Sequence, residues 1–398
     1  MIAAPPTRTL TLLLAALSMI GPFSIDTYLP SFPDIATSLH ANELQVQQSL
    51  TFYLVPYAIM MLWHGALSDA LGRRPVILWG LTAYLLASIG CIFVTSIEQF
   101  WLLRALQGLS AGVGLSVGRA IVRDLYEGAA AQRLMGQVNM VFAIAPAVAP
   151  IIGGFLGQAF GWQAVFLLLT VLAALLWLAC WRALPESLAA CRRQTLHPGE
   201  LLAAYRNVLT DLPFLSATVA IALMFSGMFI YVLSAPVFVI KHLGLGPTEF
   251  GWLFLPLTGG MMVGSALATR WASHDPRKLV RRGFGLMGLA AALNLVFSEL
   301  APGHLAAYPW AIAALPLYTI GMSVVMPGLT LIALDRFPER RGMASSCQGF
   351  IHISGNALAA GLLAPLLWGS LPNLALGSAI LLMAGAVIAF LNWRLNQR

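Results

Sequence analysis

Apolar windows of about 20 residues, the length needed to cross a bilayer as a helix, recur from one end of this chain to the other. They predict twelve spans, at about 9–36, 46–68, 76–96, 99–119, 136–159, 162–183, 212–237, 248–270, 280–300, 306–332, 343–367 and 372–394. Such a chain has few options. With no water in the hydrocarbon to satisfy N–H and C=O groups, the backbone must bond to itself, and runs this long do so as helices. Only 9% of the 398 residues are charged, against about 25% in a soluble domain. No soluble core hides that much apolar surface, so the bilayer is the expected solvent and partner.

Orientation follows from the cations. An even number of spans puts both termini on one side. Of the 22 Lys and Arg residues, all fall on that side except Lys241, in an opposite loop, and Arg104, inside a span. The positive-inside rule makes that side cytoplasmic, the expected setting being the inner membrane of a bacterial-type cell. The net charge of +7 is spread over short loops without a continuous patch, which argues against nucleic acid as a partner. Arg8 and the run to Ile20 look like a signal peptide, but no small-x-small site follows, so the segment is read as the first span. The four cysteines show no ligand spacing, and no metal or disulfide framework is expected.

The polar stretch 184–213 separates six spans from six. The expected division is 1–184, a cytoplasmic linker 185–211, and 212–398. A weak internal echo links the halves: Asp124-x-Tyr126 ends the fourth span and Asp335-x-Phe337 the tenth, each followed by basic residues and glycine. Such repeats mark secondary transporters.

The costly residues are informative. Asp26 lies within the first apolar run and Asp34 follows two prolines, although a carboxylate at bilayer depth costs about 2.5–3.5 kcal/mol. Arg104, in the outer half of the fourth span, lies at similar depth. It predicts an ion pair with Asp26 or Asp34, the alternative being an Asp26 that is protonated part of the time. Gln107 shares a helix face with Arg104. The pair is either a static tie between spans one and four or the proton-coupling site. Asp34 is either part of that site or a solvated cap on a broken helix.

Between spans two and three runs GALSDALGRRP, residues 65–75. Gly72 relaxes a tight turn, Pro75 suits the first turn of the next helix, and Asp69 can accept from a helix N-terminus or pair with an arginine. Pro150, Gly153 and Gly154 in span five suit a bent, closely packed helix. Of the seven histidines, only His352 is placed at membrane depth, sharing a face with Asn356; either a bond to a neighbouring helix or proton carriage fits it.

The loop resembles the signature of the major facilitator superfamily. With PFSIDTYLPSFPDI, VRDLY, APIIGGFLGQAFGWQAVF, GMFIYVLSAPVFVI and LDRFPERRGMASS, it is similar to the Bcr/CflA-type drug–proton antiporters. The matches run from the first span to the eleventh. RALQGLSAGVG is similar to the superfamily's R-x-x-Q-G pattern. Span five keeps Pro150, Gly153 and Gly154 of the antiporter pattern but carries Ala145 and Ala149 where that branch has glycines.

The resemblance implies an all-helical fold of two pseudo-symmetric six-helix halves and a monomer. It also implies export of amphipathic, drug-like small molecules in exchange for protons. Asp69 would latch the halves on the cytoplasmic side together with Gly72 and Arg73, and Arg119 and Arg123 are the expected counter-charges. Substrate contact is expected at Tyr53, Tyr57, Gln107, Asn139, Met140, Met228, Tyr231 and His352, where amphipathic aromatics and methionines suit a permissive site. No Walker motif is present, so the proton gradient, without a cofactor, is the expected energy source. The rival readings are a proton-linked transporter of one metabolite and, from another class, a membrane-embedded sensor or enzyme. Nothing in the sequence reads as a nucleophile elbow, carboxylate pair or signalling domain.

Overall fold

Twelve helices long and apolar enough to cross a membrane are present among the residues that the computed structural model describes, namely 8–193, 195, 197–271, 275–300 and 309–395. In chain order they are span 1 (Arg8–Ser38), span 2 (Glu43–Leu71), span 3 (Arg73–Ile92), span 4 (Ile97–Leu125), span 5 (Ala130–Phe160) and span 6 (Gln163–Ala183), followed by span 7 (Leu212–Leu233), span 8 (Pro247–Arg270), span 9 (Arg277–Leu300), span 10 (Trp310–Leu334), span 11 (Pro338–Leu367) and span 12 (Leu371–Leu391). Residues 306–308 of the expected tenth span lie outside the described residues.

The starts are chemically marked. Asn42 and Gln45 form a reciprocal capping box before span 2. Ser96 accepts from the Gln99 N–H before span 4, and Asp211 from the Phe214 N–H before span 7.

The chain divides into two compact units, residues 1–203 and 204–398. Each unit repeats one packing scheme. In the first, span 2 packs on span 4, span 3 on span 6 and span 1 on span 5; in the second, span 8 packs on span 10, span 9 on span 12 and span 7 on span 11. The pairings at matching positions are what a duplicated six-helix unit produces.

Span 1 is irregular. Its first helix ends at Asp26, a 3₁₀ turn covers Leu29–Ser31, and a second helix runs Phe32–Ser38. The prolines therefore end and restart this helix. Pro30 lacks the N–H that an uninterrupted helix would use. Span 5 fits against the break: a Cβ at Gly153 would overlap the Thr27 carbonyl oxygen. Gly154 and Pro150 are buried beside it in sequence. Only a glycine lets the two backbones come so close.

Candidate functional site

The break in span 1 leaves the last-turn carbonyls of its first helix without their ordinary helical partners. Arg104 of span 4 takes one of them. Its Nη2 donates to the Ser24 carbonyl at 2.9 Å, while Nη1 donates to Gln107 Oε1 at 2.6 Å. Gln107 Nε2 in turn donates to Ser88 Oγ at 2.8 Å. The guanidinium carbon lies over both the Tyr28 and the Tyr53 ring, 4.4 Å from each centroid. The residue is fully buried. Two ring faces, a helix C-terminus and an amide thus stabilise one cation. Tyr28 is fixed by its hydroxyl against Ser49 Oγ at 2.9 Å, and the Tyr84 hydroxyl meets Ser24 Oγ at 2.5 Å.

Asp26 is buried at 3% exposure, at the C-terminus of that same helical segment. Among the described residues no cation lies within ion-pair distance of it. The expected Asp26–Arg104 pair is therefore absent: the two Nη atoms of Arg104 go to the Ser24 carbonyl and to Gln107, while its Nε is buried without a hydrogen-bond partner. Asp34 is exposed, in the first turn of the second segment, and makes no pair with Arg104 either. Its position at a helix start fits the solvated-cap alternative.

In the loop between spans 2 and 3 Asp69 follows the second of its two expected roles, pairing with an arginine, while the helix start is capped by another residue. Gly72 has φ 103°, a conformation that disfavours a side chain, and a Cβ there would stand 2.6 Å from Glu186 Oε2. The Glu186 carboxylate, just past span 6, accepts from the backbone N–H of Arg73 at 3.0 Å and of Arg74 at 3.3 Å. Glu186, and not Asp69, thus caps the start of span 3. Asp69 pairs with Arg73 Nη1 at 2.5 Å, and Arg73 Nε donates to Asp124 Oδ2 at 2.9 Å. Ser68 and Ser187 complete the group through Arg73 Nη1 and Asp124 Oδ2. Arg119 and Arg123, the expected counter-charges, form no ion pair among the described residues. The loop's own Arg73 neutralises Asp69 first, being four residues away across the Gly72 turn.

The remaining candidates scatter. Tyr53 and Gln107 hold Arg104 from inside the first unit. Tyr57 is buried on span 2, its hydroxyl oxygen 3.3 Å from where a Cβ would stand at Gly21. Asn139 and Met140 are exposed on span 5. In the second unit Met228 and Tyr231 are buried, and Asn294 Nδ2 donates to the Tyr231 hydroxyl at 2.6 Å. His352 meets the Phe225 ring edge-on at 4.3 Å between centroids, while Asn356 accepts from Ser226 Oγ at 3.3 Å. His64 also lies at membrane depth, buried within span 2, which corrects the expectation that placed His352 there alone. Sequence reasoning also missed Ser24, Tyr28, Ser49, Tyr84 and Ser88 around Arg104, and Glu186 at the loop. Their signal, polar side chains inside apolar runs or just past one, was present in the sequence.

Among the described residues no group of three or more His, Cys, Asp or Glu could hold a metal ion.

Compared with known proteins, residues 13–360 match the model of the Major Facilitator Superfamily. The chain belongs to that superfamily. Among its relatives are a multidrug transporter, MdfA, of Yersinia pestis bv. Antiqua (strain Angola), and a bicyclomycin resistance protein homolog of Haemophilus influenzae. The first is 30% identical over 331 residues, 82% of this chain and 80% of the relative. The second is 28% identical over 357 residues, 89% and 88% of the two chains. The fold is shared with a D-xylose–proton symporter at TM-score 0.75 and 15% identity, covering 97% of each chain. As a member of the Major Facilitator Superfamily the chain is a multi-pass membrane transporter, which agrees with the reading of the loop motif and of the spans.

Proposed function

We propose that this transporter exports amphipathic, drug-like small molecules across the inner membrane, driven by protons moving inward. The observation that carries the reading is the buried Asp26 carboxyl. It sits at a helix break, uncompensated by any cation among the described residues, and intramembrane acids are by default functional. Charge on it meets both burial and the negative end of a helix, so the buried form is the protonated one and release needs access to water. Alternating exposure to the two sides is how one carboxyl loads outside and unloads inside. Arg104 acts as a fixed cation that organises the break and does not quench the acid.

The names of the relatives, a multidrug transporter and a bicyclomycin resistance protein homolog, support drug-like cargo. Asn139 and Met140, exposed on span 5, and the edge of His352 are the positions proposed to meet it. The Asp69–Arg73–Asp124 group is proposed as the latch on the cytoplasmic face, where both termini lie. The protein works as a monomer, without a cofactor and without enzymatic chemistry. The 185–211 segment serves as the cytoplasmic linker.

The test is proton release from purified protein in detergent when candidate compounds are added, compared with Asp26→Asn. Release by wild type and none by the variant is expected. Release of equal size from both would overturn the role of Asp26, and a response to one metabolite but to no drug-like compound would overturn the cargo.

A further inference from the structure

Span 4 is interrupted once along its length. Its first segment is Ile97–Ala111 and its second Val113–Leu125, parted at Gly112. Facing that break from span 2 is His64, 3% exposed. Its Nδ1 is buried without a hydrogen-bond partner. A Cβ at Gly112 would stand 3.3 Å from that nitrogen and would overlap the Tyr57 ring, so the absence of a side chain at Gly112 makes the space both rings use. The backbone carbonyl of Leu109, in the last turn before the break, is the polar group that acts on the imidazole. A second buried polar atom nearby in the network is also orphaned: Nε of Arg119, the cation that acts on the Tyr57 phenol.

A native structure that strands a buried imidazole nitrogen calls for an explanation, since buried polar atoms are nearly always paired. Packing alone does not supply one, because leucine would fill the same space at no polar cost. Span 2 offers Tyr57, and Asp69 five residues on, already paired with Arg73. From span 4 come the Leu109 carbonyl and Arg119. Span 3 begins with Arg73, held by Asp69 and Asp124. Span 1 has no ionisable side chain between Arg8 and Asp26 other than Asp26 itself. Among the described residues no carboxylate pairs with His64.

We propose that His64 is a second proton-exchanging group of the transport cycle, its Nδ1 accepting a proton of the bulk solution relayed by water admitted when span 4 flexes at Gly112. The imidazolium returns that proton to water on the basic side of the unit when the break closes again. A transporter that moves protons past Asp26 needs a route beyond it, and His64 lies on that unit nearer the basic loop at Arg73. The proposal rests on the proton-coupled reading above.

The test uses the full-length protein in proteoliposomes, with tetraphenylphosphonium as the transported probe and a pH gradient as the driving force. Initial rates are compared for wild type, His64→Gln and His64→Asn over about pH 5.5–8, where histidine chemistry operates. A wild-type rate that varies with pH, flattened about threefold or more in a folded variant, is the expected result. An unchanged profile in a folded variant overturns the proposal, because a packing role would alter the rate but leave its pH dependence.

If wild type moves no probe under the gradient, the proton-driven reading fails for that probe and His64 is judged separately. The same applies if neither variant folds. In both cases the ¹⁵N spectrum of histidine-labelled wild type decides. Protonation of Nδ1 at the acid end of that range supports the proposal, and an Nδ1 that stays unprotonated throughout overturns it.

Discussion

Arg104 Nη2 donates to the Ser24 carbonyl at 2.9 Å, and that carbonyl belongs to the last turn of the helix that ends at Asp26. The arginine therefore caps the broken helix of span 1 with a positive charge, at the end where the helix dipole favours one. Lysine at 104 keeps the charge but loses the planar fork that reaches the carbonyl and Gln107 together, and it stacks less well against Tyr28 and Tyr53. Arg104→Lys is expected to cost about 1–3 kcal/mol of stability and to reduce transport. Thermal unfolding of the detergent-purified protein measures the first, and proteoliposome efflux the second. A variant with wild-type values for both would show that the capping contact is dispensable.

Replacing Asp26 with asparagine removes the titratable group at nearly constant volume. Because no cation is paired with Asp26 among the described residues, the change leaves no orphaned charge, and stability should hold or rise slightly. Gradient-driven efflux should vanish while gradient-free exchange of the same compound persists. The sign matters here: had Asp26 been the partner of Arg104, the same substitution would have stranded a buried arginine at several kcal/mol. The melting temperature of Asp26→Asn separates the two cases.

The spans were legible because lipid imposes one length and one composition on every crossing segment. Their ends were less so: span 4 continues as helix to Leu125 and span 5 begins at Ala130, beyond the apolar windows at 119 and 136. Backbone hydrogen bonding carries a helix on past the lipid. Depth could be read, but azimuth could not. Ser24 and Asp26 share a depth yet lie about 200° apart around a helix, so matching Arg104 to the nearest acid along the membrane normal chose the wrong group. Glu186 was invisible as a cap because it approaches Gly72 only through the fold, from 114 positions along the chain. His64 fell inside a predicted span. What the sequence does not display is that its Nδ1 has no partner.

The two rings on Arg104 give a prediction with an internal control. Tyr53→Phe keeps the aromatic face and loses only a hydroxyl whose hydrogen bond to the Gly21 carbonyl is long at 3.5 Å. Tyr53→Leu removes the face. The phenylalanine variant should stay near wild type and the leucine variant should lose about 0.5–2 kcal/mol. Equal losses in the two variants, measured by thermal unfolding, would mean that the hydroxyl, and not the ring face, matters.

At the loop, the cap on span 3 and the ion pairs around Arg73 are separable. Glu186 accepts two backbone N–H bonds at the start of a helix and a third from Leu188 at 3.0 Å. Glu186→Gln keeps an acceptor oxygen but drops the charge, so its cost should be modest, about 0.3–1 kcal/mol. Glu186→Ala removes the cap and should cost about 1–2 kcal/mol. Asp69 is 40% exposed, so its pairing with Arg73 is screened, and Asp69→Asn should cost under about 1 kcal/mol. Asp124→Asn should cost more, because Asp124 is 21% exposed and holds both Arg73 and Ser187. The expected order of melting temperatures is therefore Asp69→Asn above Asp124→Asn, and Glu186→Gln above Glu186→Ala. If Asp69→Asn proved the least stable of the four, the loop would depend on that aspartate in a way its single pairing with Arg73 does not explain. If turnover collapsed in Asp69→Asn while its stability held, the cost would lie in the transport cycle, as a conformational latch requires.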